Sequence, residues 1–461
     1  MRPSDLHVLI LGAGPAGAAT ALGLARLGYR VIVLGEPRRF DAVEGISRRV
    51  LQGMRHAGLD QAAEQVHPPS PRHVSWNGVE RQANVEHLVD RRRFDEAVLA
   101  DLARAGISVV SARISRVTTD SLGRSRIYAE SSRGSEVWQA DFVVEARGRL
   151  APSGSRFERG PQTLSLLTQW QGEPGPAASA VESLPDGWAW MACQPDGRCY
   201  WQWTLDVNST VLPARSALAA WCEQRRDTPL ARRFFGAASM AASAGARLDA
   251  RPSTPTCCLT VSSEGWLRVG DAAMAVDPLS GNGIFQSLSS ALQAPAVIHT
   301  LLTVPERAAL ARRFHERRIG GLFRRFARIG RDFYAQESRW PEAPFWRARR
   351  SWPDEAPAHA GHGGPVTLGR APVLNGPLID EADVVFTPDQ PLGIWLLDGV
   401  PLAPVVRAVF DGHPDPLGLL SPERRPAFQQ WLIRHGLLGA SVTRQDARKH
   451  GVLLPRQGSC E

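Results

Sequence analysis

The chain has 461 residues, more than a single hydrophobic core usually accommodates, so two or three packed subdomains are expected. Hydrophobic residues make up 43% and charged residues 22%, which excludes a disordered chain, and no apolar run of about eighteen residues predicts a membrane span. The net charge is +8, but the basic residues are nearly all arginines without a DNA- or RNA-binding motif, so no nucleic-acid partner is expected.

The N-terminus and the cysteines indicate the compartment. The apolar run at residues 8–11 is too short for the core of a signal peptide. The six cysteines form no C-x-x-C pair and no Cys/His cluster with zinc spacing, so we expect reduced thiols and no metal site. Together these features predict a cytoplasmic enzyme with no membrane partner.

A dinucleotide-binding motif opens the chain. Residues 7–11 predict a buried parallel strand, and an alanine- and leucine-rich helix and a second strand follow it. In the GAGPAG turn, Gly12 permits the tight bend, Gly14 lets the backbone approach a pyrophosphate, and Gly17 lets helix and strand pack closely. The helix N-terminus then faces the phosphate charge. The predicted cofactor contacts of this turn are Gly12, Gly14, Pro15, Ala16 and Gly17.

The acidic residue that usually binds the ribose hydroxyls is displaced by one position. Gly35 stands where the end of the second strand would place that acid, and Glu36 follows it. Glu36 is therefore the candidate ribose ligand, with an ordinary loop carboxylate as the alternative.

The middle of the chain predicts an antiparallel sheet rich in aromatic residues. Residues 163–215 alternate in polarity, and Asp196-Gly197 is typical of a hairpin turn. Trp188, Trp190 and Trp201 are candidate substrate contacts through stacking, and packing in the sheet core is the alternative.

The later part of the chain predicts helices and then a separate module. Arginines and apolar residues between 307 and 331 predict an amphipathic helix or two, whose basic face is either solvated or a docking surface for an acidic partner. Residues 351–369 read as a linker. Beyond them, strands at 384–386 and 393–397 and helices at 404–410 and 424–435 suggest a winged-helix-like domain. Its role is left open between binding a polypeptide substrate and stabilising a dimer.

Residues 265–292, GWLRVGDAAMAVDPLSGNGIFQSLSSAL, hold a glycine-rich turn that opens a helix, and its amide groups and positive dipole end suit a reduced flavin. The segment resembles the second FAD fingerprint of p-hydroxybenzoate hydroxylase-like monooxygenases, and most closely the branch of flavin-dependent halogenases and geranylgeranyl reductases. The resemblance implies FAD as cofactor and Asp271 as the ligand of its ribityl hydroxyls. The residues that it places along the isoalloxazine edge are Pro278, Gly281, Asn282, Gly283 and Ile284.

Two shorter segments extend the resemblance. Residues 89–95, VDRRRFD, resemble the R-x-x-F-D segment of the family, which places Arg91 near the cofactor. Residues 44–54 fill the place of the helix that supplies another flavin contact, for which Arg48 and Arg49 are the candidates and Arg48 is chosen.

The electron donor follows less directly from these segments. Residues 141–149 match the D-A-T-G or A-D-G segment of the family only loosely, which leaves direct NADPH use open. No second G-x-G-x-x-G follows a later strand, so a separate nicotinamide-binding domain is not expected. Electrons would come from transiently bound NAD(P)H, from a partner reductase or from the substrate.

The resemblance implies an α/β fold in which a Rossmann-like FAD-binding domain carries an inserted antiparallel-sheet substrate domain, followed by a small α+β C-terminal domain. The predicted boundaries are 1–160 with 255–350 for the FAD-binding domain, 161–254 for the substrate domain, 351–369 for the linker and 370–461 for the C-terminal domain.

Halogenation is rejected on sequence. Halogenases of this branch use a lysine in the N-terminal third and a W-x-W-x-I-P motif. Lys449 is the only lysine of this chain, and Met-Ala-Cys at residues 191–193 follows Trp188-Ala189-Trp190 in place of the expected continuation.

Halogenase-like flavoproteins without the lysine occur as monooxygenases in tryptophylquinone cofactor biogenesis, and the overall layout resembles theirs. The resemblance implies that a C4a-hydroperoxyflavin dihydroxylates a tryptophan of a small polypeptide partner. The alternatives are a hydroxylase or reductase of a small molecule, and a flavin-binding maturation partner without catalysis. Glu44, Glu145, His73 and His87 are conceivable pocket bases, and the sequence assigns none of them a catalytic role.

Overall fold

The computed structural model describes residues 2–38, 41–120, 124–152, 157–236, 247–281, 283–361 and 364–439. Two compact units are present. One comprises the described residues up to Ala358 together with Leu374–Ile379, and the other comprises those of His359–Val373 and from Asp380 onward. Within the described residues, no helix is long and apolar enough to cross a membrane.

The strands are given in chain order. They are β1 (His7–Leu11), β2 (Arg30–Leu34), β3 (Val43–Ile46), β4 (Val66–Trp76), β5 (Val79–Asp90), β6 (Ser108–Val110), β7 (Ala112–Thr119), β8 (Ser125–Ser131), β9 (Gly134–Ala140), β10 (Phe142–Glu145), β11 (Phe157–Arg159), β12 (Thr163–Gln171), β13 (Ala178–Leu184), β14 (Gly187–Cys193), β15 (Arg198–Asp206), β16 (Arg247–Pro252), β17 (Thr256–Cys258), β18 (Trp266–Arg268), β19 (Met274–Ala275), β20 (Thr367–Asn375), β21 (Leu378–Thr387), β22 (Gln390–Ile394), β23 (Leu396–Leu397) and β24 (Val400–Pro401).

The helices are likewise given in chain order. They are α1 (Pro15–Arg26), α2 (Arg48–Ala57), α3 (Asp60–Glu64), α4 (Arg91–Arg104), α5 (Leu218–Arg226), α6 (Pro229–Phe235), α7 (Gly283–Thr303), α8 (Ala308–Ala335), α9 (Pro344–Arg350), α10 (Ala403–Phe410) and α11 (Arg425–Arg434). Short 3₁₀ turns lie at Gly148–Leu150, Gly270–Ala272 and Pro278–Ser280.

A parallel sheet in the order β18-β10-β1-β2-β6 forms the centre of the first unit. Every neighbouring pair in it runs parallel, and Leu11 pairs with Leu34 on one side and Glu145 on the other. Helices α1, α2, α4 and α7 contribute to the hydrophobic core on one face, and the β7-β8-β9 meander packs on the other. Buried apolar runs are typical of parallel strands covered on both faces. The predicted α/β fold is confirmed.

A second sheet has the order β16-β12-β15-β14-β13-β4-β5-β3. Its neighbours are antiparallel except for the β13–β4 pair. Strands β3, β4 and β5 come from residues 43–90, so this sheet is not confined to residues 161–254, where the sequence places the antiparallel strands. The hairpin turn predicted at Asp196-Gly197 is confirmed between β14 and β15, with Gly197 at φ +86°.

Side chains along β14 and β15 alternate between two differently covered faces of this sheet. Met191, Trp201 and Trp203 pack with residues of α5 and α6. Trp188 and Trp190 point the other way and pack with α8, α9 and the segment that joins them. We call these the thiol face and the aromatic face, because the first also carries Cys193 and Cys199.

Helix α8 confirms the arginine-rich amphipathic helix predicted from the sequence. Its apolar side buries Phe314, Ile319 and Phe323. Near its C-terminus, Arg328 binds the Asp354 carboxylate through two hydrogen bonds of 2.8 Å, and Arg331 also contacts Asp354. This part of the basic face is therefore neutralised within the same unit.

The second unit contains most of the β20-β21-β22 sheet and a β23–β24 hairpin. Helices α10 and α11 pack on a core that includes Leu402, Phe428 and Trp431. The strand predicted at 393–397 is divided between β22 and β23, and the other three elements predicted in this region lie where expected. The winged-helix-like resemblance of the module stays a prediction.

A buried ion pair fixes α9 against the second sheet. Arg349 donates to the Asp206 carboxylate at 3.0 Å and to the Thr163 hydroxyl at 2.7 Å, and both charged side chains are almost fully buried. The Arg349 guanidinium also lies 4.0 Å from the centre of the Phe345 ring. A carboxylate buried this deeply depends on its cation.

Replacing Arg349 with methionine leaves the Asp206 carboxylate buried without its cation. We expect the free energy of unfolding to fall by about 3–5 kcal/mol. Urea denaturation measures it. The matched control is Arg347→Met, an exposed arginine of the same helix, which should change stability by no more than about 0.5 kcal/mol. A loss below about 1 kcal/mol for Arg349→Met would mean that the pair is not what holds α9.

Candidate functional site

The turn between β1 and α1 is packed so closely that two of its glycines cannot carry a side chain. Gly12 has φ +117°, and a Cβ placed there would lie 2.4 Å from the Ala146 carbonyl oxygen. A Cβ on Gly17 would lie 1.9 Å from the Gly12 carbonyl oxygen. Both distances are far below van der Waals contact, so these positions require glycine for packing.

Gly14 is free of such contacts. Its backbone, at φ −73° and ψ 178°, suits any residue, and a Cβ there would meet nothing within 4 Å. Gly14 caps α1, Pro15 occupies the first helical position, and the amides of the first turn have no partner within the helix. The space beside Gly14 is therefore an open cradle lined by N–H groups, which fits the diphosphate of a dinucleotide.

The absence of an acidic residue at the end of β2 has a steric reason. A Cβ on Gly35 would lie 2.9 Å from the Ala13 amide nitrogen, so a carboxylate side chain does not fit at the end of β2. Glu36 is the next residue and is exposed. Its role as ribose ligand stays a prediction.

Asp271 lies in a cleft between the Gly148–Leu150 and Gly270–Ala272 turns. Its carboxylate accepts a hydrogen bond from Ser287 at 3.1 Å, and Arg149 approaches it at 3.5 Å. Burial raises the pKa of the Asp271 carboxyl, against the opposing charge of Arg149. The side chain is nevertheless 32% exposed to the cleft, so oxygen atoms remain available to accept a hydrogen bond from a hydroxyl group.

The segment after Asp271 forms a tight turn before α7. The Asp277 carboxylate accepts a hydrogen bond from the Leu279 amide at 2.9 Å, Pro278 begins the 3₁₀ turn, and Gly281 ends it at φ +60°. A Cβ on Gly281 or Gly283 would meet nothing within 4 Å. Ile284 is buried against the core of the first unit. Asn282 lies outside the described residues.

Arg91 is held by two carboxylates. Its guanidinium donates to Glu44 at 2.5 Å and to Asp95 at 2.8 Å, and its Nε atom is buried with no hydrogen-bond partner among the described residues. Burial acts to lower the pKa of Arg91, but the two carboxylates outweigh it and hold the pKa above its ordinary value. Arg48 and Arg49 are exposed in the first turn of α2.

The loosely matching segment at residues 145–148 is nonetheless built into the site. Arg147 binds the Glu145 carboxylate, with a shortest contact of 2.5 Å, and the Ala146 backbone forms the surface on which Gly12 packs. Its departure from the family pattern therefore leaves the packing against the glycine turn in place.

A hydrogen-bond chain joins the aromatic face to the turn that precedes α7. The Trp188 indole donates to the Tyr334 hydroxyl at 3.1 Å, and that hydroxyl donates to the Asp277 carboxylate at 3.0 Å. Burial raises the pKa of Tyr334 and that of Asp277, so the phenol stays protonated as a donor. Sequence reasoning did not single out Tyr334 or Asp277, although Asp277 lies inside the DPLSG motif.

The structure brings together only two of the three candidate pocket tryptophans. Trp190 lies beside Trp188 on the aromatic face, and its indole donates to Glu86 at 3.4 Å. Trp201 lies on the thiol face, is 1% exposed and packs beside Trp203. The strand register places Trp201 opposite Met191, so it cannot share a pocket with Trp188 and Trp190.

None of the four conceivable pocket bases is placed by the structure as a free base beside the candidate cofactor site. Glu44 and Glu145 are paired with arginines. His87 contacts the His67 carbonyl oxygen through its Nδ1 atom at 2.9 Å, and His73 lines a cavity beside the thiol face. Among the described residues, no group of His, Cys, Asp or Glu could hold a metal ion.

Comparison with solved structures gives relatives at very different levels of sequence identity. The structure of the peptidyl tryptophan dihydroxylase QhpG, essential for tryptophylquinone cofactor biogenesis, is 54% identical, covers 94% of this chain and 100% of its own, and has a TM-score of 0.83. The flavin-dependent halogenase CmlS is 17% identical over 96% of this chain and 93% of its own, with a TM-score of 0.67, and supports the fold alone.

Sequence comparisons give further similar proteins. The lycopene cyclase protein family matches residues 7–169. The tryptophan 2-halogenase of Chondromyces crocatus is 26% identical, covering 76% of this chain and 71% of its own length. The putative FAD-dependent oxidoreductase LodB of Marinomonas mediterranea is 20% identical over 75% of this chain and 96% of its own length. FAD is the typical cofactor of the similar proteins, and one of the similar structures, that of HpxO, is a complex with FAD.

A side chain at Gly14 should block the cofactor without harming the fold. Gly14→Val places a branched side chain in the open cradle, so we expect FAD affinity to fall at least about tenfold, or about 1.4 kcal/mol, as measured by fluorescence titration of the apoprotein. Gly320→Ala is the matched control, because a Cβ on Gly320 also meets nothing within 4 Å and lies on α8. Unchanged FAD affinity in Gly14→Val would place the diphosphate elsewhere.

Removing the Tyr334 hydroxyl should show how much the hydrogen-bond chain contributes to the free energy of unfolding. Tyr334→Phe leaves the buried Trp188 N–H without this acceptor and Asp277 with one donor fewer, so we expect a loss of about 2–3 kcal/mol in the free energy of unfolding. Chemical denaturation monitored by fluorescence provides the measurement. Tyr128→Phe, at a half-buried tyrosine of β8, serves as control and should stay within about 0.5 kcal/mol of the unmodified protein. Equal stabilities of the two variants would contradict the role of the chain.

Proposed function

The chain belongs to the family of FAD-dependent monooxygenases that includes the peptidyl tryptophan dihydroxylase QhpG, and from this premise we propose that it hydroxylates a tryptophan within a polypeptide substrate. The observation that carries the proposal is 54% identity over 94% of this chain and 100% of QhpG. Identity at this level over whole chains extends well beyond the cofactor motifs that more distant flavoproteins share.

We propose that FAD lies across the carboxyl ends of the parallel strands, at the glycine turn that follows β1. The open backbone at Gly14 and the N-terminus of α1 would receive the diphosphate, and Glu36 the ribose. Asp271, with a partly exposed carboxylate, would accept hydrogen bonds from the ribityl hydroxyls. Arg91 would lie near the cofactor as a buried cation, with its guanidinium held by the Glu44 and Asp95 carboxylates.

The isoalloxazine ring would lie against the Pro278–Ser280 turn and the first residues of α7. A Cβ added at Gly281 or at Gly283 would meet no atom within 4 Å, so the backbone there can approach a flat ring closely. The positive end of the α7 dipole favours the negative charge of a reduced flavin. Bound at this site, FAD supplies the two-electron activation of O₂ by which one oxygen atom enters the substrate and the other leaves as water.

Trp188 is buried on the aromatic face and would support the wall of the substrate pocket, whereas the half-buried Trp190 would contact the substrate indole. Trp188 is oriented by its hydrogen bond to Tyr334, which is in turn anchored on Asp277 at the start of the turn against the isoalloxazine ring. Trp190 is oriented by Glu86. Electron-rich indole rings react readily with an electrophilic oxygen. The protein therefore contributes mainly by positioning the substrate and excluding water, and no acid–base triad is needed.

A dihydroxylation takes two such cycles, each consuming one O₂ and two electrons. The electron donor would be NAD(P)H bound transiently or a partner reductase. Both alternatives agree with the absence of a second G-x-G-x-x-G motif from the sequence.

The test is isotope transfer from ¹⁸O₂. The FAD-loaded full chain is reduced and incubated with the polypeptide substrate of QhpG, which is then digested and analysed by mass spectrometry. We expect two labelled oxygen atoms on one tryptophan, as the word dihydroxylase in the name of QhpG implies.

Two controls make the result specific. At a limiting FAD concentration, Gly14→Val should give clearly less label than the unmodified chain, and Gly320→Ala should give as much. Free L-tryptophan and a set of small phenols and indoles are offered in parallel. Label on a free small aromatic with none on the polypeptide would overturn the proposal in favour of small-molecule hydroxylation.

A further inference from the structure

We propose that Cys193 and Cys199 form a dithiol that hydrogen peroxide converts to a disulfide, a second redox site on the thiol face of the sheet. The two residues stand directly opposite each other at the end of the β14–β15 hairpin. Their sulfur atoms are 3.4 Å apart. This site is separate from the proposed flavin site, because its side chains point to the other face of the same strands.

The backbone geometry suits a disulfide. The next pair toward the turn is hydrogen bonded, with the Gln194 amide donating to the Arg198 carbonyl oxygen at 2.9 Å. Hydrogen-bonded and non-hydrogen-bonded pairs alternate along an antiparallel ladder, so Cys193 and Cys199 form a non-hydrogen-bonded pair, for which the Cα separation is about 4.5 Å. Disulfides span Cα separations of about 4.4–6.8 Å, so small side-chain rotations suffice to join the sulfur atoms.

The pair borders a cavity formed by described residues. Both cysteines line a cavity of about 820 Å³ whose wall includes Trp170, Phe234 and Phe235. Cys199 is buried and Cys193 is half-buried. Gly172 leaves room for the sulfur, since a Cβ there would lie 3.2 Å from the Cys199 sulfur. A small oxidant, and afterwards a small thiol reductant, can therefore enter.

The surroundings favour a thiolate at Cys199. Arg226 is 8% exposed, its guanidinium lies 4.5 Å from the centre of the Trp170 ring, and its buried Nη1 atom has no hydrogen-bond partner among the described residues. The hydrogen bond shared with Cys193 lowers the pKa of the Cys199 thiol, burial opposes this shift, and the Arg226 charge adds to the lowering. Thiolates are the reactive form of cysteine.

The chemistry balances with hydrogen peroxide as oxidant. The Cys199 thiolate attacks one peroxide oxygen, the O–O bond breaks, and with one proton water leaves while Cys199 becomes a sulfenic acid. The Cys193 sulfur then attacks the Cys199 sulfur, the S–O bond breaks, and the hydroxyl leaves as a second water with the Cys193 proton. In total, two thiols are oxidised to one disulfide, and one peroxide is reduced to two waters.

Cys222 supplies an internal comparison. It belongs to the same hydrophobic cluster, but it is fully buried, and burial alone raises the pKa of its thiol to about 12. At neutral pH the Cys222 thiolate fraction is very small, so peroxide should oxidise Cys199 at least about tenfold faster than Cys222.

The experiment uses the reduced full chain and one equivalent of hydrogen peroxide, followed by alkylation, denaturation and trypsin. Arg198 lies between the two cysteines, so tryptic cleavage separates them unless a disulfide joins the peptides that end at Arg198 and begin at Cys199. We expect that linked pair of peptides, reversible by a thiol reductant, and unmodified Cys222.

Two variants keep the proposal falsifiable. Cys193→Ser should stop the reaction at a Cys199 sulfenic acid, detected as a dimedone adduct, whereas Cys222→Ser should leave the linked peptides unchanged. Circular dichroism checks that each variant is folded. Free alkylated thiols at both Cys193 and Cys199 after peroxide treatment would overturn the proposal, as would oxidation of Cys222 at the same rate.

Discussion

The structure depends on the contact between the glycine turn after β1 and the backbone that follows β10. Gly17 packs on Gly12, and Gly12 on Ala146, at distances that leave no volume for a side chain. This contact sets how closely α1 lies against the sheet, and so where the N-terminus of α1 opens. Gly14, inside the same turn, differs from both, because a Cβ there would meet nothing within 4 Å. One motif therefore combines two glycines that packing requires with a third whose open space is the proposed binding site.

The remaining parts of the proposed site are attached to that frame by long-range contacts. Asp271 follows β18, the outermost strand beside β10, and is held by Ser287 of α7. The Pro278–Ser280 turn precedes α7, which packs against α1. The second sheet is linked to this turn through the chain from Trp188 to Tyr334 to Asp277. Loss of any one contact would shift one wall of the site relative to the others.

Local sequence patterns predicted the strands, turns and helices that form the glycine turn and the hairpin. The partners of individual side chains could be identified only from the tertiary structure. The strand, turn and helix at residues 7–26 follow from spacing alone, and so does the hairpin at Asp196-Gly197. The sequence could not show that Trp201 is on the opposite face from Trp188, because face depends on strand register across the hairpin. Nor could it pair Tyr334 with Asp277, which are 57 residues apart, or Arg91 with Glu44, which are 47 apart. The reason for Gly35 in place of an acid lies in its approach to Ala13, again a matter of tertiary contact.

The alternation of side chains along β14 has an evolutionary consequence. Trp188 and Trp190 lie on the aromatic face, and Ala189, Met191 and Cys193 lie on the thiol face. Inserting or deleting a single residue in this strand would exchange the two sets, placing thiols among the indoles and tryptophans in the cavity beside α6. Related chains should therefore vary in length at the loops beyond the hairpin and hardly ever within it. Substitutions on one face remain free to proceed while the other face is conserved, so that the two surfaces of one strand can diverge at separate rates.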